Sequence, residues 1–176
     1  MATYFGPFVV SRQVFYRSAH SFALVNLKPL LPGHVMVCPH RVVPRLKDLS
    51  TEEVSDLFIT VQKVSAVIEE VYHGQSLNIA IQDGALAGQS VPHVHCHIIP
   101  RKLSDLPDVD DIYKLMSSPD ADLELSFAQL KKFSKSSGAS DGPDLPDDLR
   151  QPRGMDEMEA EAIMLRGRME RRGASL

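Results

Sequence analysis

The chain has 176 residues and a mass of 19.5 kDa, room for one ordinary domain, and its 43% hydrophobic residues are enough for a core. Nineteen basic against 23 acidic side chains give a net charge of −4, which argues against a groove holding a nucleic-acid backbone. No apolar run approaches the ~18 residues of a membrane span, the N-terminus lacks the basic and apolar stretches of a signal peptide, and two cysteines, Cys38 and Cys96, make no disulfide scaffold, so a reducing compartment, cytoplasm or nucleus, is expected.

In chain order, Val9-Val10 and Val14-Phe15-Tyr16 read as short strands around a Ser-Arg-Gln turn. Ser21–Val25 and His34–Cys38 read as two more, connected through Lys28-Pro29 and Pro32-Gly33. The period then changes. Ser50 and Glu53 form a capping box for a helix over Thr51–Tyr72, with Val54, Leu57, Phe58, Val61, Val64, Ile68 and Val71 as its apolar stripe. Gly74 is its expected stop. Leu77, Ile79 and Ile81 alternate with polar or small residues in a strand that Asp83-Gly84 breaks. A Gly-containing loop, Ala85–Pro92, leads to a strand over Val94–Pro100. A short helix is expected near Asp110–Met116 and a final one over Asp156–Arg172, its buried side marked by Met158, Ala162, Leu165 and Met169. Strands joined by tight turns around one long helix predict an antiparallel α+β fold.

Residues 1–100 carry seven basic and seven acidic side chains, so the whole net charge lies in 101–176, with 12 and 16. Within that part, residues 134–154 contain four Ser, four Asp, three Pro and three Gly, and only Ala139, Leu145 and Leu149 are apolar. Such a stretch cannot offset its ordering entropy by burial, which predicts a disordered insert. The resulting organisation is a main domain over 1–116, a polar connection over 117–133, the insert over 134–154 and a helix over 155–173 that packs back on the domain.

Three histidines, His93, His95 and His97, alternate along the strand His93-Val94-His95-Cys96-His97. Strand alternation puts them on one face, about 7 Å apart at Cα, with Val94, Cys96 and Ile98 on the other. Three readings are open. They form a solvated face, or two of them share a zinc ion, or one attacks phosphorus as a neutral imidazole while its neighbours orient it and meet the leaving group. The preceding Gly84 and Gly88-Gln89-Ser90-Val91 could turn backbone N–H groups toward an anion, which suits the third reading.

The stretch Gly88-Gln89-Ser90-Val91-Pro92-His93-Val94-His95-Cys96-His97-Ile98-Ile99 resembles the motif of the histidine triad superfamily. Leu24-Val25-Asn26-Leu27-Lys28-Pro29, Pro32-Gly33-His34, Gln82-Asp83-Gly84 and Pro100-Arg101-Lys102 resemble its fragile histidine triad branch, which hydrolyses dinucleoside triphosphates; the resemblance leaves open an adenylylsulfate or phosphoramidate hydrolase of the same family and a nucleotide-binding signalling module with slow turnover. The absence of Trp weighs against the Hint branch. The resemblance implies the following roles. His95 is the nucleophile that takes up AMP, His93 orients it, and His97 contacts phosphate near the leaving group with His34 close by. Asn26 and Gln82 hold ribose and phosphate. Gly88, Gln89 and the Ser90 and Val91 backbone meet the phosphates, and Phe5, Leu24 and Met36 wall the base. It further implies a homodimer and a divalent ion, Mg²⁺ or Mn²⁺, carried on the substrate phosphates, with no metal ligated by the protein and with neither nucleic acid nor membrane as partner. Phe8 stands where the branch often has His, Cys96 replaces an aliphatic residue, and Tyr113 is expected to be exposed.

Deleting residues 134–154 across a short Gly/Ser bridge is expected to leave thermal stability nearly unchanged; a large fall in melting temperature would show that the segment packs.

Overall fold

The computed structural model describes residues 2–118 and 153–173, so all but the first two residues of the polar connection and all but the last two of the expected insert lie outside the described residues. A small hairpin comes first, β1 (Tyr4–Phe5) against β2 (Phe8–Val9). The strands β3 (Val14–Arg17), β4 (Ser21–Val25), β5 (Val35–Pro39), β6 (Ser76–Ile81) and β7 (Cys96–Arg101) form one sheet in the order β3-β4-β5-β7-β6, each pair antiparallel. The α+β expectation holds.

The register places the site. His97 faces Met36 on β5 and Ala80 on β6, Met36 faces Leu24, and Leu24 faces Val14. Cross-strand partners share a face, so one row of side chains runs from β3 to the histidines. The opposite face carries Ile98, Val35 and Val25, all fully buried.

Helix α1 (Thr51–Tyr72) has the bounds that its capping box and stripe predict. Ser50 Oγ accepts from the Glu53 N–H, and the Glu53 side chain accepts from the Ser50 N–H. The helix packs against β4, β5 and β7. Its buried side is Leu57, Thr60, Val61, Val64, Ser65, Val67 and Ile68. Phe58, expected in the stripe, is 45% exposed, and Val67 takes a buried place instead. The stripe is centred on Leu57, Val61, Val64 and Ile68, and Phe58 lies one residue, about 100°, off that line. His73, not Gly74, adopts the left-handed conformation that ends the helix, at φ 54°.

Two shorter pieces complete the fold. Helix α2 (Asp111–Met116) joins Ile112 and Met116 to Leu30 and Ile99 in a small separate cluster. Helix α3 (Met155–Gly173) buries Met158, Ala162, Leu165 and Met169 and packs against β3, β4 and α1. Arg153, assigned above to the insert, is instead tied down. Its N–H donates to Leu27 O, and its guanidinium reaches Asn26 O and Glu161. The deletion experiment is therefore narrowed to residues 134–152.

Ser50→Ala removes one half of the capping box far from the histidines. It is expected to lower unfolding free energy by about 1 kcal/mol, read from the urea midpoint.

Candidate active site

β7 begins at Cys96, two residues later than the alternation suggests. Before it, the His93 N–H donates to Val91 O and the Val94 N–H to Val43 O, local bonds that replace the ladder. His93 and His95 thus stand in an irregular approach and only His97 on the strand itself. The three imidazoles consequently do not form a row. His95 and His97 meet edge to face, 4.8 Å between centroids, whereas His93 stacks on Phe5 at 5.6 Å. All three are buried, as is His34.

Backbone groups assign their tautomers, because a peptide N–H only donates and a carbonyl only accepts. The Gly6 N–H donates to His93 Nδ1 at 3.1 Å, so the proton of His93 is on Nε2, which donates to Pro39 O at 2.9 Å. Both nitrogens of His93 are occupied. The close approach needs a residue without Cβ: Gly6 has φ 54°, and a Cβ there would lie 2.6 Å from Val91 Cγ1. His95 Nδ1 lies 2.7 Å from the carbonyl oxygen of His93 and donates to it, leaving Nε2 as a bare lone pair. His93 therefore orients His95, but through its main-chain carbonyl and not its ring.

A second chain ends on His97. The Leu30 N–H donates to His34 Nδ1 at 3.1 Å. His34 thus carries its proton on Nε2 and donates it to His97 Nδ1 at 2.9 Å. That puts the His97 proton on Nε2, a buried N–H with no partner among the described residues. The amide of Asn26 lies over the His34 ring, its Nδ2 at 3.4 and 3.3 Å from the two ring nitrogens, while its Oδ1 accepts from the Lys28 N–H. The pair that results is a lone pair on His95 beside a free N–H on His97.

The four histidines are neutral. Burial pushes the pKa of His34 down to about 3, helped by His95 and by Arg153, and that of His93 to about 4. Burial also lowers His95, and it lowers His97 well below its ordinary value, with His95 and His34 adding to the effect. The thiol of Cys96 is pushed up to about 12 by burial, so it is not a nucleophile.

Other expected site residues divide. Asn26, His34, Gln82 and His97 gather around a cavity of about 10 Å³, with Lys28, Leu30 and Met116, space for about one water. Gln82 donates to Met116 O and lies against Gly88, where a Cβ would come within 2.5 Å of its amide. Phe5 reaches His93 and His95, and Leu24 and Met36 share the His97 row; all three are fully buried. Gln89 differs from expectation. Its side chain accepts from the Gly84 N–H and donates to Pro44 O, so it shapes the loop and does not reach outward. Ser90 is half-buried and Val91 buried beneath Gly6. Phe8 is buried, and Tyr113 is exposed as expected.

Sequence reasoning missed the partners that act through their backbone, Gly6, Leu30, Pro39 and the His93 carbonyl, for which no side-chain motif exists. It also missed Arg153, hidden by the polar composition around it. Among the described residues no group of three His, Cys, Asp or Glu side chains is arranged to hold a metal ion, and no helix is long and apolar enough to cross a membrane.

A five-stranded antiparallel sheet leading into three buried histidines, one offering a lone pair beside the N–H of another, defines the histidine triad class. Residues 8–103 match the HIT domain family, and the chain belongs to it. The chain is 48% identical over 170 residues to a bis(5'-nucleosyl)-tetraphosphatase (asymmetrical) of Schizosaccharomyces pombe, covering 93% of this chain and 92% of that protein. It is 50% identical over 121 residues to a bifunctional bis(5'-adenosyl)-triphosphatase/adenylylsulfatase FHIT of Arabidopsis thaliana, covering 68% of this chain and 67% of that one. Among solved structures, the NitFhit protein of C. elegans aligns with a TM-score of 0.68 and 34% identity over 95% of this chain, which spans 30% of that longer chain.

Neutral burial couples stability to pH. The folded pKa values of His34 and His93 lie below the ~6.5 of the unfolded chain. Above that pH neither state is protonated there, and stability is full. Below it the unfolded chain takes up protons that the folded one refuses, at a cost of about 1.4 kcal/mol per pH unit for each histidine until the folded pKa is reached. The urea midpoint is expected to be flat above about pH 7 and to fall steeply between about 6.5 and 4.5. A midpoint constant over that interval would contradict neutral burial.

Proposed function

We propose that the chain hydrolyses diadenosine triphosphate to AMP and ADP through a covalent adenylyl-histidine. The observation that carries this reading is the fixed pair of tautomers, a lone pair on His95 Nε2 beside an unpartnered N–H on His97 Nε2. His95 Nε2 attacks the α-phosphorus. The N–P bond forms as the P–O bond to ADP breaks, and the bond pair leaves with the ADP oxygen, which accepts a hydrogen bond from His97 Nε2–H. The adenylated ring is positive and keeps its Nδ1–H on the His93 carbonyl. Water then attacks phosphorus, AMP leaves, His95 returns to its neutral form and the proton of water passes to solvent. The protein supplies position and oriented dipoles and little bond chemistry.

Asn26 and Gln82, beside His97 in the same cavity, would hold ribose and phosphate. Gly88, Ser90 and Val91 would offer backbone to the phosphates, whereas the Gln89 side chain holds that loop in shape. The base would lie by Phe5, Leu24 and Met36. The donors around the cavity are imidazoles, amides and an ammonium, not the carboxylates that Mg²⁺ prefers. A divalent ion would accordingly arrive on the substrate phosphates and neutralise their charge. A homodimer is part of this reading, supported by β6, an edge strand whose Ile79 is 49% exposed.

The relatives favour a second reading on the same chemistry. The names of the S. pombe and Arabidopsis proteins include tetraphosphatase and adenylylsulfatase. In each case AMP can be the transferred group and only the leaving group differs, so His95 would serve all three.

His95→Ala is expected to abolish turnover well beyond the ~10²–10⁴-fold of a lost acid–base group, with substrate binding retained. Rapid quench with labelled diadenosine triphosphate should trap adenylate on His95. Two displacements require net retention at a chiral phosphorus, and inversion would mean that water attacks directly. A product assay on the triphosphate, the tetraphosphate and adenylylsulfate ranks the leaving groups.

A further inference from the structure

The side of the site away from the histidines is held from an unexpected quarter. Asn26 begins the run that follows β4, and its main-chain oxygen accepts from both Nε and Nη2 of Arg153. The Arg153 N–H donates to Leu27 O, the next residue, so one residue binds this stretch three times. The guanidinium is fixed in turn: its Nη1 lies 2.6 Å from Glu161 Oε2 on α3, and the other Glu161 oxygen accepts from the Tyr72 hydroxyl at the end of α1. Arg153 and Glu161 are both largely buried, with side-chain exposures of 16% and 13%. A buried planar fork with its donors matched to a carbonyl and a carboxylate is a positioning geometry rather than a surface ion pair.

From this we infer that Arg153 is a positioning residue for the proposed hydrolysis: it holds the Asn26–Leu30 backbone so that Asn26 covers His34 and the Leu30 N–H directs the proton of His34 toward His97. This rests on the reading above for its effect on turnover, and its effect on the histidines is independent of that reading. The path is short. Arg153 fixes Asn26 O; the Asn26 side chain lies on the His34 ring and accepts from the Lys28 N–H; Leu30 N–H reaches His34 Nδ1; His34 Nε2 reaches His97 Nδ1. If the stretch slides, the Leu30 bond is lost, His34 is free to carry its proton on either nitrogen, and the His97 N–H is no longer assured. Arg153 also acts directly as a cation, adding to the larger effects of burial and His95 that lower the pKa of His34. The other titratable and charged groups around His34 are His95 and His97 on the β7 side and Lys28 from its own loop, with Glu161 behind Arg153.

The test compares Arg153→Met with Arg12→Ala. Arg12 makes another tie to α3, through Asp156 and Glu159 at the surface, and serves as the control for merely loosening that helix. At a temperature where both variants are folded, Arg153→Met is expected to lose about 10- to 100-fold in kcat, the scale of a small misplacement, with a smaller change in KM. Arg12→Ala should keep its kcat. Arg153→Lys, which retains the charge and loses the fork, should fall between and replaces Arg153→Met if that variant does not fold.

Nitrogen-15 spectra of the histidine rings provide a readout without substrate. In the wild type, His34 and His97 should show protonated Nε2 and bare Nδ1 at neutral pH. In the Arg153 variants both should lose that single pattern, and in Arg153→Met His34 should also titrate at higher pH, because removing a neighbouring cation makes protonation easier. His93, set by Gly6 and Pro39, should not change. Unaltered His34 and His97 signals in a folded Arg153 variant would overturn the proposal, as would equal kcat losses in Arg153→Met and Arg12→Ala. Failure of the wild type to hydrolyse any of the three substrates would instead overturn the hydrolase reading, and the spectra would still decide the role of Arg153.

Discussion

Two peptide N–H groups, those of Gly6 and Leu30, govern the chemistry of four buried imidazoles. A ring nitrogen can donate or accept, and a histidine left alone exchanges these roles freely. A peptide N–H has one role at every pH. Gly6 therefore makes His93 Nδ1 an acceptor, and Leu30 does the same to His34. From there each proton has one place left to go, onto Pro39 O in the first chain and onto His97 in the second. The carbonyl of His93 then fixes His95 in the opposite sense, with its proton on Nδ1. Neighbouring histidines so end with complementary faces, one a base and one a donor, although both are neutral and buried. This division of roles usually needs a charge to enforce it; here the backbone suffices.

The fold around these groups was legible wherever burial imposes a period. The limits of α1 follow from Ser50, Glu53 and the spacing of Leu57, Val61, Val64 and Ile68, because a helix packed on a sheet must present one stripe. The strand Ser21–Val25 was legible for the same kind of reason. The approach to β7 was not. His93 and Val94 leave the ladder for bonds to Val91 and Val43, partners that depend on how a distant loop packs. Alternation predicted three histidines on one face, and local bonding turned one of them toward Phe5 and Pro39. Gln89 shows a related limit: its residue type suits a phosphate, yet the nearer Gly84 and Pro44 backbone uses both ends of its amide. Arg153 was obscured by its surroundings, since composition averages over a window and a single buried guanidinium at the edge of a Pro- and Asp-rich stretch leaves no trace in the average.

The architecture separates support from chemistry. The face of the sheet bearing Val25, Val35 and Ile98 is apolar, while the other face carries the row from Val14 through Leu24 and Met36 to His97. The second small cluster joins Leu30 with Ile99, Ile112 and Met116, and its Ile99 lies on the His97 side of β7. It brings Leu30 into packing contact with α2 at the residue whose N–H begins the chain to His97. Packing at Leu30 and hydrogen bonding at Arg153 thus act on the two ends of one five-residue run. Short runs held at both ends keep backbone dipoles in place with little reorganisation, which is what a site relying on dipoles requires.

The partner of His95 Nδ1 is a carbonyl oxygen and not a carboxylate. In nucleophilic sites where a carboxylate backs the histidine, the negative charge favours the imidazolium and makes the ring more basic. A carbonyl offers only a dipole. An adenylyl group attached to such a ring is bound to a weakly basic nitrogen, and a weakly basic nitrogen is a good leaving group. In the proposed mechanism the arrangement would therefore limit how far the first displacement runs downhill and would leave the intermediate prone to the second. A bond that formed too well would convert the catalyst into a store of AMP; the neutral oxygen behind His95 would let water finish the transfer.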